Sequence, residues 1–164
     1  MSDFFSQPVV CNTGPIIALS RVGLGHLLVK LFPKVLTTRE VVAELTAKDA
    51  GDTSVVAETL ASLEILPTPR RDPLLEMEID PGEASVILLA RELGIKGVLI
   101  DDRLGRRVAR DVYGLEVRGI CALLLRAKKL ALISEVSTKL DQIIANRYFI
   151  GPTLRLECLK LAGE

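Results

Sequence analysis

Short apolar runs alternate with longer segments of helical periodicity along this sequence, and the alternation restricts the fold more than any other feature. Five runs have the length and composition of strands: residues 8–11, 34–38, 63–67, 97–100 and 115–119. Strands that alternate with helices are typical of a parallel sheet covered by helices on both faces. The pattern therefore predicts a three-layer α/β/α fold with a central, mostly parallel sheet.

Helical segments fill most of the remaining sequence. Gly23 and Gly25 divide residues 15–32 into two short helices. From Ala122 to the end the chain is almost wholly helical, with breaks at "LISE" and "FIGPT". Further helices are predicted over residues 39–48, about 54–62, 81–93 and 103–110.

Two polar stretches interrupt the helical pattern. "AGDTS", residues 50–54, is expected to be a break between helices, and "PTPRRDP", residues 67–73, is expected to be a surface loop. The 164 residues are expected to form a single domain, 1–164. A chain of this length can bury a sizeable core without disulfides or a structural metal.

The cysteine and histidine content excludes several classes of site. Cys11, Cys121 and Cys158 are far apart and lack metal-ligand spacing, so they are expected to be reduced core thiols. His26 is the only histidine and is expected on the surface of an amphipathic helix, which excludes Ser-His-Asp triads and histidine-rich zinc sites. The turn "NTGPII" after the first strand also lacks the GxGxxG pattern of dinucleotide-binding domains.

Hydropathy and charge lead to expectations about location and partners. Residues 1–10, "MSDFFSQPVV", lack the basic segment followed by an apolar segment that is typical of a signal peptide. The sequence also lacks a run of about 18 apolar residues, which a membrane-spanning helix needs. We therefore expect a cytoplasmic protein without a membrane partner. Apolar residues make up 49% of the chain, which favours a homodimer that covers part of this surface. Basic and acidic residues number 21 each, so an anionic partner would have to be attracted by a local basic patch.

Two aspartates, Asp101 and Asp102, follow directly on the apolar run of residues 97–100. Asp102 is positioned to cap the helix that follows. A capping role does not account for Asp101, and an ionised group at the end of an apolar strand is costly to bury without a partner. Asp101 therefore carries the strongest functional signal in the sequence.

Three glutamates near helix starts differ in how far local structure explains them. Glu40 fits a capping box in which Thr37 is the N-cap residue, and Glu83 fits a second one with Asp80. Glu44 lies one turn beyond Glu40, where capping cannot use it. Glu44 is therefore either a solvated helix residue or a site residue, and Glu83 has a strong alternative explanation as a capping residue.

Polar residues also follow the first strand, where Asn12 and Thr13 precede a helix. If this strand and the strand before Asp101 are neighbours, their carboxyl ends bring Asn12, Thr13 and Asp101 together. The helix starts that carry Glu44 and Glu83 can face the same crevice. Oxygen ligands without histidine or cysteine favour a hard cation such as Mg²⁺ or Mn²⁺.

Four arginines follow the paired aspartates on a single predicted helix: Arg103, Arg106, Arg107 and Arg110. Residues 103, 107 and 110 fall on one face of that helix. They are either phosphate-binding residues, which would give affinity with little sequence preference, or an ordinary solvated helix face.

The sequence resembles the PIN-domain ribonucleases and, within them, the small prokaryotic proteins related to VapC-type toxins. The likeness covers nearly the whole chain, through "VVCNTGPIIALSRVG", "VLTTREVVAEL", "IDPGEASVILLARELG", "GVLIDDRLGRRVAR" and "RAKKLALI". The resemblance implies a metal site formed by Asn12, Glu44, Glu83 and Asp101, with Asp102 close by and Thr13 as an auxiliary polar group.

The same resemblance implies a function. It implies a divalent-metal-dependent endoribonuclease that acts on RNA with Mg²⁺ or Mn²⁺ and, if it is a toxin, is held inactive by a small antitoxin protein. Asn12 departs from the aspartate that most PIN domains have at this position. A second interpretation therefore stays open, in which the chain is a catalytically weakened PIN-like module that binds RNA or a protein.

Overall fold

The central sheet has five strands, and every neighbouring pair is parallel. The computed structural model describes residues 3–48 and 53–164. Within them the strand order is β3-β2-β1-β4-β5. The strands are β1 (Val9–Cys11), β2 (Val35–Thr38), β3 (Glu64–Leu66), β4 (Gly97–Leu99) and β5 (Glu116–Arg118).

Ten helices among the described residues flank the sheet and give the three-layer α/β/α architecture that the sequence predicted. A short 3-10 helix, Phe4–Ser6, precedes β1. The helices are α1 (Thr13–Arg21), α2 (Leu27–Leu31), α3 (Arg39–Lys48), α4 (Thr53–Ala61), α5 (Pro73–Glu78), α6 (Pro81–Leu93), α7 (Arg103–Asp111), α8 (Ile120–Lys129), α9 (Val136–Ala145) and α10 (Pro152–Ala162). The last three confirm the helical C-terminal tail with two breaks.

Strand β1 occupies the centre of the sheet, between β2 and β4. Cys11 pairs with Leu99, and the Asn12 N–H donates to the Leu99 carbonyl at 3.0 Å. All residues of β1, β2 and β4 are buried, as expected for a sheet covered on both faces. The chain runs from β1 to β2 on one side of β1, whereas β4 lies on the other side, so the strand order reverses at β1. Open α/β sheets bind their ligands at such a reversal, outside the carboxyl ends of the strands.

Helix α3 begins one residue later than its capping pattern predicted. Thr38 is the capping residue, because its Oγ1 accepts from the Val41 N–H at 3.1 Å. The Thr37 hydroxyl instead donates to the Cys11 carbonyl at 2.8 Å and ties the end of β2 to the end of β1. The prediction of Thr37 as N-cap was therefore wrong. Glu40 stands at the second helical position, where its N–H donates to Thr68 Oγ1.

Helix α5 was not predicted, although its start signal is present in the sequence. The Asp72 carboxylate accepts from the N–H groups of Leu74 and Leu75, and Pro73 occupies the first helical position. The helix has six residues and begins at the end of the predicted surface loop. Most of the predicted break at "AGDTS" lies outside the described residues, since 50–52 are not among them.

The remaining predictions about single residues have clear outcomes. All three cysteines are free, with Cys11 and Cys158 buried and Cys121 half-buried. His26 is exposed at the start of α2. In residues 3–48 and 53–164, no helix has both the length and the apolar character that crossing a membrane requires.

Candidate functional site

A cleft of about 640 Å³ opens at the carboxyl ends of β1 and β4. Its size lies within the range of ligand pockets, roughly 300 to 1,000 Å³. The lining combines acidic and amide side chains with two arginines and an apolar rim. The charged, amide and hydroxyl-bearing side chains of this lining are Asn12, Thr13, Arg21, Glu44, Asp80, Glu83, Asp101, Asp102, Arg103 and Tyr148.

Asn12 and Thr13 enter the cleft from the junction of β1 and α1. Helix α1 begins at Thr13, two residues before the predicted start, and Asn12 is its N-cap residue without using its side chain for capping. Thr13 Oγ1 donates to Glu44 Oε2 at 2.9 Å and lies 3.5 Å from Asn12 Oδ1. Both residues are buried, with 6% and 5% of their surface exposed. The hydroxyl of Thr13 thus links the β1 junction to the carboxylate of α3.

Glu83 combines a capping role with a position in the cleft. Asp80 Oδ1 accepts from the Glu83 N–H at 2.9 Å, and the Asp80 N–H in turn hydrogen-bonds to the Glu83 carboxyl group, so the predicted capping box is present. The side chain is nevertheless buried, with 4% exposed. Burial, followed by the charges of Asp80 and Asp102 and more weakly of Glu44, raises the pKa of Glu83 to about 8. This glutamate is surrounded by like charge.

Two glycines make room for the crowded carboxyl groups. A Cβ at Gly105 in α7 would lie 2.9 Å from Oε1 of Glu83, and one at Gly82 in α6 would overlap Oε2 of Glu44. Contacts below about 3.0 Å are closer than real Cβ atoms approach. The absence of both side chains lets Glu44 and Glu83 approach the helix backbones at the wall of the cleft.

Asp101 has two tertiary partners that local sequence patterns could not reveal. Its Oδ1 accepts from the Ile120 N–H at the start of α8 at 3.0 Å, and its Oδ2 accepts from the Tyr148 hydroxyl at 2.5 Å. Burial raises the pKa of Asp101, while these two hydrogen bonds and the Arg106 charge act in the opposite direction. The premise that capping cannot account for Asp101 was therefore wrong, because Asp101 caps a helix remote in sequence.

Asp102 has the capping role that the sequence predicted. Its Oδ2 accepts from the N–H groups of Leu104 and Gly105, both at 3.0 Å. The side chain also lines the cleft and contributes to the charge around Glu83. Asp102 therefore belongs electrostatically to the Glu83 group, whereas Asp101 faces Tyr148 and α8.

The four arginines of α7 have different surroundings. Arg103 is exposed and lines the cleft. Arg106 is half-buried and donates to the Ile100 carbonyl at 2.9 Å, which fixes the end of β4 to α7. Arg107 and Arg110 are exposed, and Arg110 Nε lies 3.3 Å from Asp111 Oδ1. Of the predicted phosphate-binding residues, Arg103 is the one that the cleft lining includes.

Sequence reasoning missed Arg21, Tyr148 and Phe149 as lining residues. A signal for Arg21 was present, because Thr13, Ile17 and Arg21 recur every four residues and so share one face of α1. Tyr148 and Phe149 come from the turn between α9 and α10. Their position depends on tertiary packing, so local sequence patterns do not indicate it.

The donor atoms fit a hard divalent cation, although the carboxylates are not gathered around one point. In the part of the chain that the structure describes, no three His, Cys, Asp or Glu side chains are arranged as a metal-binding group. The cleft nevertheless offers oxygen donors from Asn12, Glu44, Glu83 and both aspartates. Buried carboxyl groups in this proximity need either a proton, as the raised pKa of Glu83 indicates, or a cation.

A family model described as a PIN domain matches residues 8–164. The match runs from the residue before β1 to the end of the chain. No curated protein and no solved structure matched the chain.

Proposed function

Because the chain belongs to the PIN-domain family, whose members are generally nucleases that typically use divalent metal ions, we propose that it is a divalent-metal-dependent endoribonuclease. The observation that carries this proposal is the buried Glu83, whose pKa is raised to about 8 by burial and by neighbouring carboxyl groups. Glu83 is buried beside the charges of Asp80 and Asp102, and among the described residues no lysine or arginine is paired with it, so this position is suited to a cation. We propose Mg²⁺ or Mn²⁺, since the donors are all oxygen.

The proposed ligands are Glu44, Glu83, the paired aspartates Asp101 and Asp102, and the amide oxygen of Asn12. Thr13 orients Glu44 by donating its hydroxyl hydrogen. Asp101 keeps lone pairs beyond the two that Ile120 and Tyr148 use, because a carboxylate offers about four acceptor sites.

The remaining polar residues of the cleft bind the substrate in this proposal. When bound, the cation would lower the pKa of a water molecule and neutralise charge on the scissile phosphate. Arg103 and Arg21 place positive charge in the same cleft as the carboxylates. They would hold flanking phosphates of the RNA without reading its sequence.

A second candidate function is a PIN-like module that binds RNA or a protein without cleavage. Asn12 supports it, because an amide attracts a cation less than a carboxylate does, and so do the two hydrogen bonds that engage both Asp101 oxygens. Asn12→Asp separates the two functions. In a nuclease it should tighten Mn²⁺ binding and raise or preserve cleavage, whereas in a binding module it should lower thermal stability equally with and without metal.

Within the family, we propose that the chain belongs with the VapC-type toxins, acts as a homodimer in the cytoplasm and is inhibited by a small antitoxin. Exposed apolar side chains support a dimer, among them Leu74 and Met77 on α5, which are 76% and 82% exposed. Leu104 on α7 is also exposed. Light scattering at micromolar concentrations should report a dimer, and a monomer throughout this range would refute it.

Cleavage of a labelled single-stranded RNA by the purified protein tests the proposed activity. We expect cleavage with Mn²⁺ or Mg²⁺ that stops when the metal is chelated. Glu83→Gln should abolish it while the fold persists, because glutamine preserves the shape of the side chain and removes the charge.

Glu40→Gln is the matched control for this experiment. It removes one carboxylate from the start of α3, one turn before Glu44, and Glu40 is not part of the cleft lining. We expect unchanged cleavage in this variant. A folded wild-type protein that leaves RNA intact with both metals, or equal cleavage by wild type and Glu83→Gln, would overturn the proposal.

A further inference from the structure

The turn between α9 and α10 forms the apolar rim of the cleft and exposes an aromatic ring. Phe149 lines the same cleft as the carboxylates and is 86% exposed. The chain has four phenylalanines, and the other three pack against one another with ring centroids 5.1 to 5.8 Å apart. A phenylalanine left in solvent beside a polar cleft forgoes the free energy that burial would give it.

The backbone that carries Phe149 is fixed by the residues on its N-terminal side. Arg147 adopts a left-handed conformation, with φ of 65°. The Tyr148 hydroxyl donates to Asp101, and the Tyr148 N–H donates to the Ile143 carbonyl at 3.3 Å. Arg21 donates to the Asn146 carbonyl at 3.3 Å. The Phe149 ring is therefore exposed to solvent, while hydrogen bonds hold the turn that carries it.

Gly14 permits the close approach of this turn to α1. A Cβ at Gly14 would lie 2.9 Å from the Tyr148 hydroxyl oxygen. The hydroxyl that contacts Gly14 also binds Asp101, so the position of the turn is linked directly to the paired aspartates. Phe149 is the next residue in the chain and is thus held beside the proposed reaction site.

We infer that Phe149 is a substrate-positioning residue on which one unpaired base of single-stranded RNA stacks while the adjacent phosphates reach the carboxylates. This inference rests on the proposed ribonuclease function and deepens it. Aromatic rings bind bases of any identity through their faces. Arg21 and Arg103 line the same cleft and supply positive charge for the backbone of such a strand. Bases in a duplex already stack on their neighbours, so the ring would select unpaired RNA.

Steady-state cleavage of a short unstructured RNA tests the inference. Phe149→Ala should raise KM by roughly tenfold, equivalent to about 1.4 kcal/mol, and change kcat by less than about twofold, since uniform binding is lost. Phe149→Trp should restore KM, whereas Phe149→Leu should behave like alanine because it keeps an apolar group without a ring. Leu161→Ala is the matched control, since Leu161 is 76% exposed on α10 and lies outside the cleft lining.

Substrates with one abasic nucleotide locate the stacked base. For the wild type, one abasic position should raise KM by the same factor as Phe149→Ala, and the same substrate should cause no further rise in that variant. If an abasic nucleotide at every position raised KM by the same factor in Phe149→Ala as in the wild type, no base would depend on Phe149, and stacking would be contradicted. Equal KM for wild type and Phe149→Ala would overturn the inference. The proposed ribonuclease function would stand in that case, because both proteins would still cleave RNA.

Fluorescence anisotropy with the same RNA keeps the test decisive if cleavage is absent. Weaker binding by Phe149→Ala than by wild type would support the stacking role in a protein that binds without cutting. If the wild type did not bind RNA, both the stacking role of Phe149 and the proposed ribonuclease function would be overturned. Loss of the dimer in size-exclusion chromatography, with RNA affinity unchanged, would assign Phe149 to a protein contact and contradict the inference.

Discussion

At the scale of single residues, Glu83 makes the stability of the metal-free protein depend on pH. Its pKa rises from the usual 4.5 to about 8 in the folded state, first because of burial and then because of Asp80 and Asp102. Since the folded protein retains this proton to higher pH than the unfolded chain, the stabilising contribution is complete below about pH 4.5 and is lost as pH rises through about 8.

We therefore expect the free energy of unfolding, measured with urea and a chelator, to fall between these pH values. A single proton accounts for a slope of at most about 1.4 kcal/mol per pH unit. In Glu83→Gln this component should be absent, because glutamine does not titrate and can still complete the capping box. If the free energy of unfolding depended on pH in the same way in both proteins, the raised pKa of Glu83 would be contradicted.

Asp101 has either a ligand role or a purely architectural one, and two substitutions distinguish them. We expect Asp101→Asn to abolish Mn²⁺-dependent cleavage with the fold retained, because the amide oxygen can still accept from Ile120. Tyr148→Phe removes the hydroxyl that Asp101 accepts from and keeps the ring. It should reduce cleavage by about tenfold, as loss of an outer hydrogen-bond partner does. Equal losses in both variants would show that Asp101 acts only by holding the Tyr148 turn.

At the scale of secondary structure, the position of Glu44 depends on how α3 starts. Thr38 accepts from the Val41 N–H and shares a hydrogen bond of 2.7 Å with the Ser85 hydroxyl of α6. The sequence contains two adjacent threonines, and the capping-box pattern with Glu40 selected Thr37, which is the wrong one. The structure distinguishes them because Thr37 is engaged with the Cys11 carbonyl across the sheet.

Thr38→Val should lower the free energy of unfolding by about 1 to 2 kcal/mol, because it removes an N-cap acceptor and leaves the Ser85 hydroxyl without this partner. Thr46→Val is the control on the same helix, where an exposed hydroxyl donates to the Val42 carbonyl. It should change stability by less than about 0.5 kcal/mol. Urea denaturation measures both, and equal stability of Thr38→Val and wild type would refute the capping assignment.

At the scale of the whole molecule, periodicity predicted the architecture, and tertiary packing decided the details of the site. The alternation of strands and helices is visible in the sequence, so the parallel sheet could be predicted. The pairing of β1 with β4 entered the sequence analysis only as a condition, because periodicity does not fix the order of strands, and the structure supplies it. The contact between Tyr148 and Asp101 joins residues 47 positions apart. It depends on how α9 packs, which short-range patterns do not encode.

The proposal that a cation occupies the cleft is tested most directly by calorimetric titration of the purified wild-type protein with Mn²⁺. We expect saturable binding at near-equal stoichiometry, strong weakening in Glu83→Gln and no change in Glu40→Gln. The folded wild type failing to take up Mn²⁺, or the two glutamine variants binding it as well as the wild type does, would contradict the assignment of this cleft as a metal-dependent nuclease site.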